Sequence, residues 1–151
     1  MPDLHVHIRR SRRTDFTAVM GLLATCGIPV PVPERATLRR FRQIVADLGA
    51  DFYLAEVDGT LAGLVHVTYA RELPVGQRAA LNQLLVAEGF RHHGVGTALL
   101  DFAQARAQGR GCTALCCAVS ATSPARAFLA KAGLYPAGEC LIKDISAPHA
   151  A

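Results

Sequence analysis

The sequence predicts one mixed α/β domain. Three observations carry this. The chain has 151 residues, room for a single domain of ordinary size. Apolar residues make up 51% and charged residues 19%, a globular balance rather than a disordered one. The apolar pattern switches repeatedly between helical and strand spacing, in the order β-α-α-β-β-β-α-β-α-β.

The elements follow along the chain. Val6, His7 and Ile8 read as a short strand. Thr14 is placed to cap a helix in which Phe16, Val19, Met20 and Leu23 share a face, and Gly27 ends it. Residues 28–33 alternate proline with other residues, and proline has no N–H to donate, so helix is excluded there. A second helix is expected over 34–48, with Leu38, Phe41, Val45 and Leu48 as its apolar stripe and Arg35, Arg39 and Arg42 away from it. Residues 52–57 and 60–69 read as strands joined by Asp58-Gly59, a two-residue hairpin turn. Residues 71–78, with Pro74 and Gly76, read as a loop. Residues 80–86 are apolar on both faces and predict a central strand. A helix over 94–107 puts Leu99, Phe102 and Ala103 on one face. Residues 113–119 predict a strand. Thr122 or Ser123 then caps a last helix, with Pro124 in its first turn. A final strand is expected over 139–145 and a frayed tail over 146–151.

Composition excludes several function classes. No run of about 18 apolar residues is present, so no membrane-spanning helix is expected. The first residues lack the apolar core of an export signal. Cys26, Cys112, Cys116, Cys117 and Cys140 are therefore expected as reduced thiols in the cytoplasm. Cys112-x3-Cys116-Cys117 lacks zinc-site spacing, and His5-x-His7 has no further spaced ligand, so no metal is expected. The net charge is +4, and residues 1–42 hold eight arginines against Asp3, Asp15 and Glu34. With no recognition-helix or aromatic RNA signature, this basic third reads as a solvated face, and no nucleic-acid partner is expected.

The chemistry lies between residues 84 and 100. Leu84, Leu85 and Val86 end a strand, a turn follows, and Gly94-Val95-Gly96-Thr97 opens a helix. That arrangement has two readings by spacing alone: backbone N–H groups aimed, with the positive end of the helix dipole, at an anion, or a glycine turn that packs strand on helix. Gly94 and Gly96 let a phosphate approach the main chain, and Arg91, His92 and His93 add donors at the rim. The triphosphate loop is excluded because no Lys precedes Thr97. The dinucleotide fingerprint is excluded because Leu99 stands where its third glycine belongs.

Arg91-His-His-Gly94-Val-Gly96 resembles the Q/R-x-x-G-x-G/A acyl-CoA motif of the GNAT superfamily of N-acetyltransferases. The likeness covers nearly the whole chain in order: the opening strand and helix over 8–23, the hairpin over 51–69, the strand, loop and helix over 80–100, and a last helix with Ala125, Phe128, Lys131, Gly133 and Leu134. The resemblance implies a single GNAT-like domain over residues 1–151, a mixed central sheet with splayed parallel fourth and fifth strands, and about four flanking helices. It implies acetyl-CoA as co-substrate, its pantetheine arm pairing with Leu84, Leu85 and Val86, and its pyrophosphate held by Arg91, His92, His93, Gly94, Val95, Gly96 and Thr97, with Thr122 and Ser123 as further contacts. The implied reaction is direct acetyl transfer to a primary amine of a small molecule or peptide, with a strand N–H, that of Leu85, on the developing oxyanion. A homodimer is also a family expectation.

The sequence departs from the family pattern at its proton-transfer positions. Leu129 stands where many members have a tyrosine acid, Thr122 where many have asparagine, and Asn82 and Gln83 occupy a stretch where many have a carboxylate. Asn82, ordering water, and Glu72 are the catalytic candidates, with Glu72 or His66 as the terminus of that water chain; Tyr69 and Ser120 are further polar residues near the expected site. Loops over 28–37 and 70–79 carry Arg35, Arg71 and Arg78 against Glu34 and Glu72, which favours an acceptor with an anionic group beside its amine. The alternative is a non-catalytic acyl-CoA-binding or regulatory domain that has lost its acid and base.

Overall fold

The computed structural model describes residues 4–30 and 34–145. Pro31, Val32 and Pro33 of the proline-rich segment and the tail over 146–151 lie outside them. The chain divides between Cys117 and Ala118 into two compact units.

The first unit is a five-stranded sheet in sequential order. Its strands are β1 (Val6–Arg10), β2 (Asp51–Val57), β3 (Thr60–Glu72), β4 (Gly76–Val86) and β5 (Ala114–Cys116). The first four are antiparallel neighbours, and β5 runs parallel to β4. Asp58 and Gly59 both take positive φ, 50° and 76°, as the tight hairpin turn requires. The helices are α1 (Phe16–Thr25), α2 (Glu34–Ala46) and α3 (Val95–Gly109).

Side-chain alternation gives the sheet two buried faces. On one, Phe52, Leu54 and Leu64 pack with Val19 and Leu22 of α1 and Phe41 of α2. The Phe41 ring meets that of Phe52 edge-on at 6.0 Å. The other face receives α3, whose Val95, Leu99, Leu100, Ala103 and Ala107 are buried. Gly63 lies under that helix. A Cβ there would stand 2.6 Å from the Leu85 carbonyl oxygen and 3.0 Å from Leu99 Cδ1. Gly63→Ala is therefore expected to destabilise the protein by about 1–3 kcal/mol through overpacking. Urea unfolding checks this, and an unchanged midpoint would mean that β4 and α3 yield without cost.

Several expectations are corrected. The first helix does not start at a Thr14 cap. One 3-10 turn, Arg13–Asp15, precedes α1, and the Asp15 carboxylate accepts from the Arg12 N–H and from Arg9. The second helix stops at Ala46, short of Leu48. Residues 71–78 are not a loop: β3 and β4 run on, and only 73–75 turn the chain before Gly76, at φ 85°. Pro74 needs only those three residues. The strand expected over 113–119 shrinks to Ala114–Cys116, because pairing with β4 stops there. Residues 139–145 form no strand. Their pattern suits one, but a strand also needs a ladder to satisfy its N–H and C=O groups. Leu141 and Ile142 are instead exposed, at 88% and 89%.

The second unit holds α4 (Ala125–Lys131), which buries Leu129. Ser123 rather than Thr122 serves its start: the Ala125 N–H donates to Ser123 Oγ at 3.2 Å. At its end Gly133, at φ 96°, and Leu134 donate back to the Ala130 and Leu129 carbonyls.

Candidate acyl-CoA site

The end of β4 sets the geometry. The Ala87 N–H donates to the Ala62 carbonyl at 2.8 Å. Hydrogen-bonded pairs alternate along an antiparallel ladder. Leu85 opposite Leu64 is therefore the next such pair, and its N–H is committed to β3. Leu84 and Val86 turn their N–H and C=O groups to the opposite edge. Pairing with β5 runs only from Arg78/Ala114 to Ala80/Cys116, so the edge from Leu81 to Val86 has no β-partner among the described residues. This corrects the expectation for Leu85: its N–H points the wrong way to reach a ligand on that edge. The Val86 carbonyl accepts from Arg91 Nε at 3.2 Å and Cys26 Sγ at 3.7 Å.

From this edge the chain enters the loop. One 3-10 turn, Glu88–Phe90, leads to Arg91 in extended conformation. His92 takes φ 65°, a conformation unusual for a residue with a side chain. Gly94, at φ 84°, then starts α3, and no side chain caps it. The N–H groups of Val95, Gly96 and Thr97 form the first turn, where a helix supplies no partner of its own. Val95 is buried at 1% and anchors the turn, while Arg91, His92, His93 and Gly94 are exposed. The loop is thus an open cradle of donors continuous with the unpaired edge of β4.

Midway along β4 lies a bulge. His66 pairs with Gln83 and Val67 with Leu81, which leaves Asn82 as an extra residue. Asn82 Nδ2 donates to Thr68 Oγ1 at 2.7 Å. His66 is half-buried, its ring edge-on to Phe52 at 5.3 Å. Burial pushes its pKa below 6.5, with Asp47 opposing weakly. The imidazole is accordingly neutral at pH 7, with a nitrogen available to accept a proton.

Glu72 is not part of this group. It pairs with Gly76 at the tip of the β3–β4 hairpin and bridges Arg78 at 3.5 Å. Six residues of β4 separate Gly76 from Asn82, about 20 Å of strand. Tyr69 is engaged elsewhere: its hydroxyl donates to Asp51. In the second unit, Ser120 Oγ and Thr122 Oγ1 lie 3.2 Å apart ahead of α4.

Asp51 is a buried charged residue that the sequence pattern does not single out. Its side chain is 2% exposed. Its carboxylate accepts from Arg106 Nη2 at 2.8 Å, from Arg110 Nε and Nη2 at 3.3 and 3.1 Å, and from the Tyr69 hydroxyl. Burial pushes the carboxyl pKa up, but these hydrogen bonds outweigh it and hold it down at about 2. A charged residue leading an apolar strand was the available signal.

The sequence profile of the acetyltransferase (GNAT) family matches residues 16–134. The chain belongs to this family. As a GNAT protein it is an acetyltransferase with acetyl-CoA as co-substrate. Among curated protein sequences, none matches. Solved structures share the fold. A transcriptional regulator from Bacillus halodurans C-125 superimposes with TM-score 0.82 at 22% identity, over 93% of this chain and 100% of its own. Glucosamine-6-phosphate N-acetyltransferase from Arabidopsis thaliana gives TM-score 0.79 at 18% identity, over 94% and 99%. An aminoglycoside N-acetyltransferase in complex with CoA gives 0.78 at 18%, over 95% and 97%. Among the described residues of this GNAT protein, no helix is long and apolar enough to cross a membrane, and no three metal-ligating side chains are grouped.

Proposed function

We propose that this GNAT protein transfers the acetyl group of acetyl-CoA directly to a primary amine of a small molecule or peptide, in a ternary complex. The observation that carries this reading is the continuity of the 91–96 cradle with the outward-facing edge at Leu84 and Val86. The N–H groups of Val95, Gly96 and Thr97 hold the pyrophosphate, with Arg91, His92 and His93 at the rim and Gly94 open to it. Thr122 and Ser123 remain contacts proposed by family likeness. The pantetheine arm lies along Leu84 and Val86, and the Leu84 N–H faces the thioester carbonyl, where donors stabilise a developing oxyanion.

The amine nitrogen attacks the carbonyl carbon, the C–S bond breaks, and CoA leaves as thiolate. Free thiols titrate near 8.5, so the thiolate leaves acceptably without a tyrosine at Leu129. The amine proton passes through water held by Asn82 to His66, which replaces Glu72 as terminus because it sits across the ladder from Gln83. Cys26, Cys112, Cys116 and Cys140 are free thiols, which supports a reducing, cytoplasmic setting. Arg35 on the exposed face of α2 and Arg71 keep an anionic acceptor in view; Arg78 is engaged by Glu72.

The pH dependence tests the proton path. Log kcat/KM should rise with a slope of about one while the amine deprotonates, steepen toward two below about pH 6.5 where His66 protonates, and show no descending limb. In His66→Phe, kcat should fall at least about tenfold and the extra steepening should vanish. A His66→Phe enzyme with the parent profile would remove His66 from the path.

A further inference from the structure

The Asp51 cluster carries more positive charge than its carboxylate can absorb. Asp51 has about four lone-pair sites. Tyr69, Arg106 and two donors of Arg110 fill them. Arg10 stands 3.9 Å away and spends Nη2 on the backbone carbonyls of Asp47 and Ala50. Three guanidinium groups thus surround one saturated carboxylate, an excess of two positive charges. Arg106 Nε is buried with no hydrogen-bond partner among the described residues. The carboxylate of Asp47 does not cancel the excess directly: its Oδ1 accepts from the Gly49 N–H.

Arg106 and Arg110, but not Arg10, border a cleft of about 340 Å³ whose other lining residues are Phe102, Ala105 and Gly109. Gly109 and Ala105 leave its floor low, and Phe102, packed on Tyr53 at 4.6 Å, gives it one aromatic wall. Arg106 and Arg110 also hold stacked positions, 5.5 Å from the Tyr53 ring and 4.5 Å from the Tyr69 ring. Their planes are therefore fixed before any ligand arrives, which limits the ordering cost of binding. The cleft is separate from the acyl-CoA loop. Arg106 lies eleven residues along α3 from Val95, about 16 Å at the helical rise.

We propose that this cleft is a second anion site, taking a phosphate group borne by a small organic molecule. Phosphate supplies the double negative charge and the acceptor oxygens that the spare guanidinium donors require. The aromatic wall favours a phosphomonoester with a flat apolar part over inorganic phosphate.

Calorimetry at constant ionic strength tests this, with inorganic phosphate and phenyl phosphate as probes and chloride as control. Three proteins are compared: wild type, Ala105→Glu and Gly94→Val. Ala105 is exposed on the cleft floor, so the new carboxylate repels an anion there without replacing a group that bonds Asp51. Wild type and Gly94→Val should bind both probes, phenyl phosphate more tightly, and Ala105→Glu should bind each at least about tenfold more weakly. Amide shifts of Gly109 in a labelled wild-type sample should move on titration. No binding beyond chloride overturns the proposal. So does binding that survives Ala105→Glu but is lost in Gly94→Val, which would assign it to the acyl-CoA loop. A short single strand of DNA that bound with steep salt dependence, outcompeted phenyl phosphate and was lost in Ala105→Glu would overturn the small-molecule assignment in favour of a polyanion.

Discussion

Gly94→Val is expected to weaken CoA binding at least about tenfold, or about 1.4 kcal/mol, in a protein that still folds. Gly94 sits at φ +84° with nothing within 4 Å of where a Cβ would stand. The protein itself therefore has room for the new side chain. The left-handed backbone costs a branched residue roughly 1–2 kcal/mol, which a folded domain of this size tolerates. In the proposed site the valine crowds the mouth of the cradle formed by Val95, Gly96 and Thr97, where the pyrophosphate is proposed to reach the backbone. Calorimetric titration with CoA, beside a circular-dichroism check of folding, measures the effect. Wild-type protein should also melt higher with CoA present, since a ligand selective for the native state stabilises it. Unchanged CoA affinity in folded Gly94→Val would displace the cofactor from this loop.

The largest effect on stability is expected at Asp51. Asp51→Ala leaves Arg10, Arg106 and Arg110 facing one another around a buried gap, and removing one partner of a buried ionic group costs about 3–5 kcal/mol. Against a total of roughly 5–15 kcal/mol this is a large share. The pH dependence has a definite sign. Folding holds the carboxyl at about 2, below its unfolded value near 3.9. Its stabilisation is complete above pH 4 and is lost as pH falls toward 2, on the order of 2 kcal/mol across that window. Asp15, lowered by its hydrogen bonds with Arg9, adds to the same trend. The difference between wild type and Asp51→Asn isolates the Asp51 part. Urea midpoints from pH 6 to 2 should converge in that window; parallel curves would show that the carboxylate's charge contributes nothing.

Most of the fold was legible where local chemistry decides it. Apolar stripes located α1, α2 and α3, and Asp58-Gly59 located the β2–β3 turn. The glycine spacing at 94 and 96 located the loop. What failed depended on distant partners. Residues 139–145 have a strand's pattern, but pattern does not say whether a ladder is available. The polar ends of β3 and β4 read as loop because Arg71, Glu72 and Gln77 carry no apolar alternation, yet each strand supplies the other's hydrogen bonds.

At the site the same division holds. The loop residues follow from sequence because their spacing is local. The direction of the Leu85 N–H depends on ladder phase, which the sequence does not print. The displacement of Glu72 from Asn82 depends on the hairpin running to Gly76. The nearness of His66 to Asn82 and Gln83 depends on a one-residue bulge. Asp51 was missed because its partners Arg106 and Arg110 lie more than fifty residues away in the chain. Their spacing of four, at the end of α3 and on the residue that follows it, places them on one face, but nothing local names the carboxylate they share.

The proposed reaction is acetyl transfer from acetyl-CoA to an amine at the edge formed by Leu84 and Val86. Mass spectrometry of a panel of primary amines, incubated with acetyl-CoA and the enzyme between about pH 6 and 9, tests it most directly. An acetylated amine and an equal amount of free CoA are expected from at least one acceptor class, with the rate rising as that amine deprotonates. CoA bound tightly at the loop with no acetylated amine from any class would contradict it, and would identify an acyl-CoA-binding domain without transferase activity.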